Sequence, residues 1–274
     1  MRKPVVDIVV IGAMKCGTTA VYHFFKMNKI FAVNKGKEVN FFLNEYDEMS
    51  LAGYDKTFLP GQIRIDVSPN YSKRHQYKTN IAKEISRANP NAKIIFLVRD
   101  PLKRIESHLY HNLLRDRIDR KKLTDMEYLH NYVLTSSYFF QIRVFLDHFK
   151  KNNILVLQQE LMRKEPSKFI EALSTFLDAG LTQKTIDNYY AGDQKYWIPE
   201  YDRMRKIMGG KFMFNLYNPF WSVVKIRPKP IYLDDETKND IRKQLADDIH
   251  AFCSLFSLDK SSWHYFFEGD HVKP

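Results

Sequence analysis

Two stretches of this 274-residue chain combine the residue types that hold a small, multiply charged anion. The first is "VVIGAMKCGTTAV", residues 9–21, in which Gly12 and Gly17 bracket Lys15, and Thr18 and Thr19 follow. A strand that turns through glycines into a helix aims backbone N–H groups and the positive helix end at one point. The two threonine hydroxyls add donors there. A nucleoside-triphosphate loop reads G-x-x-x-x-G-K-[ST]. Here the glycine spacing is kept, but the lysine lies two positions before the second glycine and Thr18 takes its place. Lys15 therefore reaches the anion from within the turn, on the side of the bond being broken. The second stretch is "IIFLVRDPLKRIESHLY", residues 94–110. Arg99 ends a buried strand and Ser107 lies two turns into the next helix, so both can converge on one phosphate, with the guanidinium forking onto its oxygens. Arg104, between them, can support Asp100 or the ligand.

Positioning these groups requires an α/β scaffold. Short β-branched runs alternate with helical periodicity, which predicts a parallel, phosphate-loop-like sheet flanked by helices. Strands are expected at Val5–Ile11, Ile63–Val67, Lys93–Val98 and Asn153–Leu157, with a weaker one near Ile30–Val33. Helices are expected at Thr18–Met27, Pro101–Arg115, Ser136–Lys150, Pro166–Leu177 and 235–257. Asp100 suits the cap of the second of these, and Pro101 its first position. Residues 117–135 and 187–232 break the rhythm and read as irregular insertions. Ligands of open α/β sheets sit beyond the carboxyl ends of the strands, where such insertions shape a substrate site. Tyr196, Trp197, Tyr201, Phe212, Phe214 and Trp221 are its candidate lining. The expected organisation is one domain over 1–274: a core at 5–178, a lining insertion at 187–232 and a C-terminal helix at 235–257.

Composition narrows the class. The chain is 44% hydrophobic, enough for a sizeable core, and its 43 Lys and Arg against 32 Asp and Glu leave a net charge of +11. That excess favours polyanions or multiply phosphorylated ligands. Two distant cysteines give neither a disulfide framework nor zinc spacing. No apolar run approaches the ~18–20 residues that span a bilayer, and Asp7 interrupts the early apolar run, so a buried first strand fits better than a signal peptide. A cytoplasmic protein is the expectation.

Taken together, the two stretches resemble the sulfotransferases that use 3′-phosphoadenosine 5′-phosphosulfate (PAPS). Arg99, Asp100, Pro101, Arg104 and Ser107 match that family's R-[DN]-P-x-x-R-x-x-S segment. The resemblance continues through "KEVNFF" (37–42), "DVSPNY" (66–71) and "SSYFFQIRVFLDHFKKNNILVLQQELM" (136–162). It covers residues 5–178 and looks more like the heparan and bacterial branch than the cytosolic steroid and phenol branch. It implies that Lys15, Cys16, Gly17, Thr18 and Thr19 hold the 5′-phosphosulfate and that Arg99 and Ser107 hold the 3′-phosphate. It also implies that Lys15 stabilises the departing 3′-phosphoadenosine 5′-phosphate (PAP). Glu38 would be the base, with a pKa raised by burial beside Phe41 and Phe42, and Lys37 a further contact to the sulfuryl group. No metal is required. The chain departs from the heparan enzymes at Val67, where they carry a lysine, and lacks their cysteine pair. "KIMGGKF" (206–212) stands nearest to their late basic loop. His108, beside Ser107, does not fall in the segment that carries the cytosolic enzymes' histidine base.

The implied acceptor is a hydroxyl or amine on a small molecule, such as an alkaloid or polyketide, or on a sugar or lipid. Asp116, Asp119, Glu200 and Asp202 would suit a cationic one. Two other classes stay open. A magnesium-dependent P-loop kinase or NTPase would need Asp66 as its metal-holding acid. A polyanion-binding module would use the basic surface, although no nucleic-acid-binding motif is present.

Overall fold

The computed structural model describes residues 5–182, 185–186 and 228–267. Five parallel strands form one sheet in the order β2-β3-β1-β4-β5: β1 (Ile8–Gly12), β2 (Phe31–Val33), β3 (Ile63–Val67), β4 (Lys93–Val98) and β5 (Ile154–Gln158). Every residue of β1 is buried, as is β4 after Lys93. That burial explains the near-continuous apolar character of these strands, which helices cover on both faces. The α/β class expected from the sequence is the one observed. β3 and β4 have the expected bounds, whereas the other strands differ by one to three residues: β1 runs from Ile8 to Gly12, β2 starts at Phe31, and β5 runs from Ile154 to Gln158.

All strands being parallel, their carboxyl ends meet at one edge. Val10 is level with Val67, and Val98 with Gln158. The chain leaves this edge in five places: the loop after β1 into α1 (Thr18–Met27), the segment after β2 that leads to Glu38, a 3-10 turn Pro69–Ser72 after β3, Arg99 after β4, and Gln159 after β5. Asp100 then starts α4 (Pro101–Leu113). Its buried carboxylate accepts from Leu102 N and Lys103 N at 3.0 and 3.1 Å, and from Phe266 N at 3.0 Å. It therefore caps the helix as expected and also ties the C-terminal segment to the sheet edge.

Residues 117–135 are not wholly irregular. Met126–Ser136 form α5, because Asp125 accepts from Glu127 N and Tyr128 N and the helix buries Leu129, Tyr132 and Val133 on one face. Two short helices, α2 (Glu48–Asp55) and α3 (Ile81–Ala88), carry no expectation from the sequence. The helix Asp235–Phe256 buries Ile241, Leu245, Ile249 and Phe252, and its Asp248 accepts from Phe139 N and Phe140 N at the start of α6 (Tyr138–Leu146). Most of the 187–232 insertion lies outside the described residues, including all six of its candidate lining aromatics and the 206–212 loop. Among the described residues no helix is long and apolar enough to cross a membrane.

Replacing Asp100 by alanine removes a helix cap and leaves the buried Phe266 N–H without an acceptor. The expected loss is about 2–4 kcal/mol, the sum of a cap and an unmade buried hydrogen bond. It should be read as a lower urea midpoint at unchanged slope.

Candidate active site

The loop after β1 is shaped by close approach. A Cβ on Gly12 would lie 2.3 Å from Ser72 Oγ, so only glycine lets this turn press against the end of the β3 turn. Gly17, at φ 91°, is the cap residue of α1, where no side chain accepts from the helix amides and no acid lies in the first turn. The start of α1 therefore presents uncapped N–H groups. Lys15 itself is left-handed at φ 74°, a conformation that costs a non-glycine residue on the order of 1–3 kcal/mol and clusters at functional positions.

These groups open on a cavity of about 680 Å³ at the carboxyl edge of the sheet. Lys15, Gly17, Thr18 and Thr19 line it, and so do Arg99 and Ser107 from the other anion-binding stretch. The two stretches, some 80 residues apart in the chain, thus share one space. Glu38 lines it as well. Its N–H donates to Val67 O at 3.2 Å and Asn40 N–H donates to Ser68 Oγ at 3.1 Å, so this turn hangs from the end of β3 with Glu38 and Asn40 both at positive φ.

The expected burial of Glu38 is not observed. Its side chain is 41% exposed and paired with Lys37, because the apolar space goes to Phe42, which is fully buried. Cys16 differs too. Its thiol points into the core, 3.9 Å from Tyr138 OH, burial pushes its pKa up to about 12, and its N–H is engaged by Ala13 O. It offers the cavity neither a thiol nor a free amide.

The cavity's charge is one-sided. Among the described residues Lys15, Lys37, Lys73, Arg99, Arg115, Arg117 and Arg163 line it against the single carboxylate of Glu38. Of these, sequence reasoning missed Lys73, Arg115, Arg117 and Arg163. Their shared signal is a basic residue one to eight positions beyond a strand or helix end, too common to be read alone. Arg115 and Arg117, not Asp116 and Asp119, face the cavity, whereas Glu200 and Asp202 lie outside the described residues.

Behind this wall Arg104 is fully buried and holds neither Asp100 nor the cavity. It donates to Ser136 Oγ and, at 2.6 Å, to Tyr132 O, and lies 3.4 Å from His108 Nδ1. His108 is buried, and with Arg104, Lys73 and Lys15 nearby its pKa falls to about 2, so it stays neutral and can accept from Arg104. Asp66 is fully buried, accepting from Tyr54 OH and Tyr71 OH at 2.8 Å and Ser68 Oγ at 2.6 Å. These hydroxyls occupy the carboxylate that a magnesium-dependent kinase reading requires, and it does not line the cavity.

A parallel sheet that gathers an uncapped helix start and, among the described residues, seven cations at one edge defines an α/β protein with a basic cavity at the carboxyl ends of its strands. The sulfotransferase domain family matches residues 6–192, and the chain belongs to that family. The bifunctional heparan sulfate N-deacetylase/N-sulfotransferase 1 of Xenopus tropicalis is 26% identical over 190 residues, which cover 62% of this chain and 22% of that protein. The luciferin sulfotransferase of Photinus pyralis is 27% identical over 118 residues, 42% of this chain and 32% of that protein. The chain thus matches only about a fifth to a third of the length of these curated relatives. The crystal structure of a sulfotransferase from Alicyclobacillus acidocaldarius superposes with a TM-score of 0.68 at 17% identity, covering 94% of this chain and 98% of that one, and shows the same fold.

The neutral His108 makes a pH prediction. Below pH 6.5 an unfolded imidazole takes up a proton that the folded one refuses until about pH 2. Stability therefore falls with acidity across that window, by up to about 1.4 kcal/mol per pH unit for this group. In His108→Gln the decline of unfolding free energy between pH 6.5 and 5 should be shallower than in the wild type. An equal slope would remove the assignment.

Proposed function

We propose that the protein moves a sulfuryl group from PAPS to a hydroxyl or amine of a small-molecule or carbohydrate acceptor. The observation that carries this reading is the convergence of seven cations, one carboxylate and an uncapped helix start on one cavity. Clustered like charges are favoured where a ligand supplies the opposite sign, and a nucleotide with phosphates at both ends fits a site with Lys15, Thr18 and Thr19 on one side and Arg99 and Ser107 on the other. When bound, the donor supplies the sulfuryl group: the acceptor oxygen or nitrogen bonds to sulfur as the bond from sulfur to the bridging phosphate oxygen breaks, leaving PAP.

The chain's own residues serve this exchange in separable ways. Lys15, held in the turn, hydrogen-bonds the oxygen on which charge develops, a contact that strengthens as the bond breaks. The amides and hydroxyls at the start of α1 bind the 5′-phosphate, and Arg99 with Ser107 binds the 3′-phosphate. Glu38 takes the proton that the acceptor loses, with Lys37 orienting its carboxylate. The relatives' names span a glycan and a small molecule, heparan sulfate and luciferin, so the acceptor is framed at that breadth.

PAP should raise the melting temperature in the absence of magnesium, and no shift at millimolar PAP would sink the donor assignment. Lys15→Ala should lower PAP release from PAPS in the presence of an acceptor by about 10²–10³-fold, the scale of losing one charge-stabilising donor. Glu38→Gln should lower it by about 10²–10⁴-fold, yet bind PAP within about threefold of wild type. Wild-type turnover in Glu38→Gln would remove its role as base.

A further inference from the structure

Lys73 has no part in the machinery described so far. It follows the 3-10 turn Pro69–Ser72, and its backbone is pinned on both sides, by its own N–H to Asn70 O at 3.0 Å and by Gln76 N–H to its carbonyl at 2.9 Å. The preceding Ser72 is the residue against which Gly12 presses. The turn carrying Lys73 and the loop carrying Lys15 are thus braced against each other at the ends of paired strands. Lys73 is only 7% exposed, yet it lines the same cavity as Lys15, Glu38 and Arg99. Among the described residues its ammonium has no hydrogen-bond or ion-pair partner. The carboxylate nearest in influence, Glu38, is paired with Lys37. A cationic side chain buried along most of its length, with its ammonium opening only on the cavity, gives up part of its hydration without gaining a protein partner, which makes an anionic ligand in that cavity its natural partner.

We propose that Lys73 is a further catalytic residue, its ammonium contacting the sulfuryl oxygens of the donor from the Glu38 side of the cavity. This rests on the PAPS reading above. Placement argues for the sulfuryl group over the phosphates. Lys73 and Glu38 both hang from the end of β3, on the side assigned to the acceptor, while Arg99 and Ser107 come from β4 and α4 across the cavity. An ammonium there offsets the negative charge on the oxygens around sulfur, which otherwise repel an incoming nucleophile and the Glu38 carboxylate.

The same surroundings give a pH signature. Lys73 faces Arg104 and His108 of α4, His75 of the following turn, and Glu38. Burial, with the Arg104 charge adding to it and Glu38 opposing it, brings its pKa down to about 8. His75 and His108 are both pushed below the usual histidine range and stay neutral above that point. An anion bound at Lys73 favours the protonated amine. Donor affinity should therefore hold below about pH 8 and fall as pH rises above it, by up to about tenfold per unit.

The test is calorimetric titration of PAP and, in the cold, of PAPS into wild type, Lys73→Met and Lys73→Arg. Lys73→Met should weaken PAPS by about 10–100-fold, the range for a charge-assisted contact, and PAP, which lacks the sulfuryl group, by less than about threefold. Lys73→Arg should retain most of the PAPS affinity and lose its decline above pH 8. Equal weakening of both ligands would move Lys73 onto the nucleotide phosphates, and no weakening of either would remove it from the site; both outcomes overturn the proposal. Failure of the PAPS reading has a different signature, since wild type would then bind neither ligand.

Discussion

Electrostatic repulsion within the cavity at the carboxyl edge of the sheet is the constraint that organises this molecule. Among the described residues seven cationic side chains and the positive end of α1 face a space of about 680 Å³ with one carboxylate, and a fully buried guanidinium stands behind them. Such a set gains by binding an anion and costs folding energy without one. The surrounding groups ease that cost. Arg104 is satisfied by neutral acceptors, His108 remains uncharged, and Lys73 binds its proton less tightly than a solvated lysine.

The scaffold that resists this repulsion is built from uncharged contacts and fully used carboxylates. The buried strands hold the five exits at one edge. Asp66, bonded to three hydroxyls, fastens Tyr54 of α2 and Tyr71 of the β3 turn beneath the Glu38 segment. Asp100 caps α4 and anchors the C-terminal segment at Phe266, while Glu160 accepts from Asp100 N–H at 3.0 Å and from the Trp263 indole at 3.2 Å. These acids serve the frame, so that Glu38 is the one carboxylate lining the cavity among the described residues.

Membership of the sulfotransferase family and the fold shared with the Alicyclobacillus enzyme agree with this arrangement. The identities, 26% and 27%, extend over only parts of the curated relatives. Arg115 and Arg117 line the cavity outside the quoted family motifs. They give the cavity mouth beyond α4 a basic character, the opposite of what Asp116 and Asp119 suggest in the linear sequence.

Local order was legible in the sequence wherever a short-range rule acts alone. The buried runs marked β3 and β4, Asp100 and Pro101 marked the start of α4, and the glycines around Lys15 marked a tight strand-to-helix turn, because strand burial, helix capping and tight turns are set by near neighbours. The same holds for bringing Lys15 and Arg99 to one edge, since parallel strands leave no other place for their loops. What only the tertiary structure decided was the direction and company of individual side chains. Cys16 turns inward to Tyr138, Glu38 stays half-exposed beside Lys37, Arg104 withdraws from the site, and Lys73 enters it. Each of these depends on which distant segment fills the adjoining space, and packing across the chain carries no signature in residue spacing.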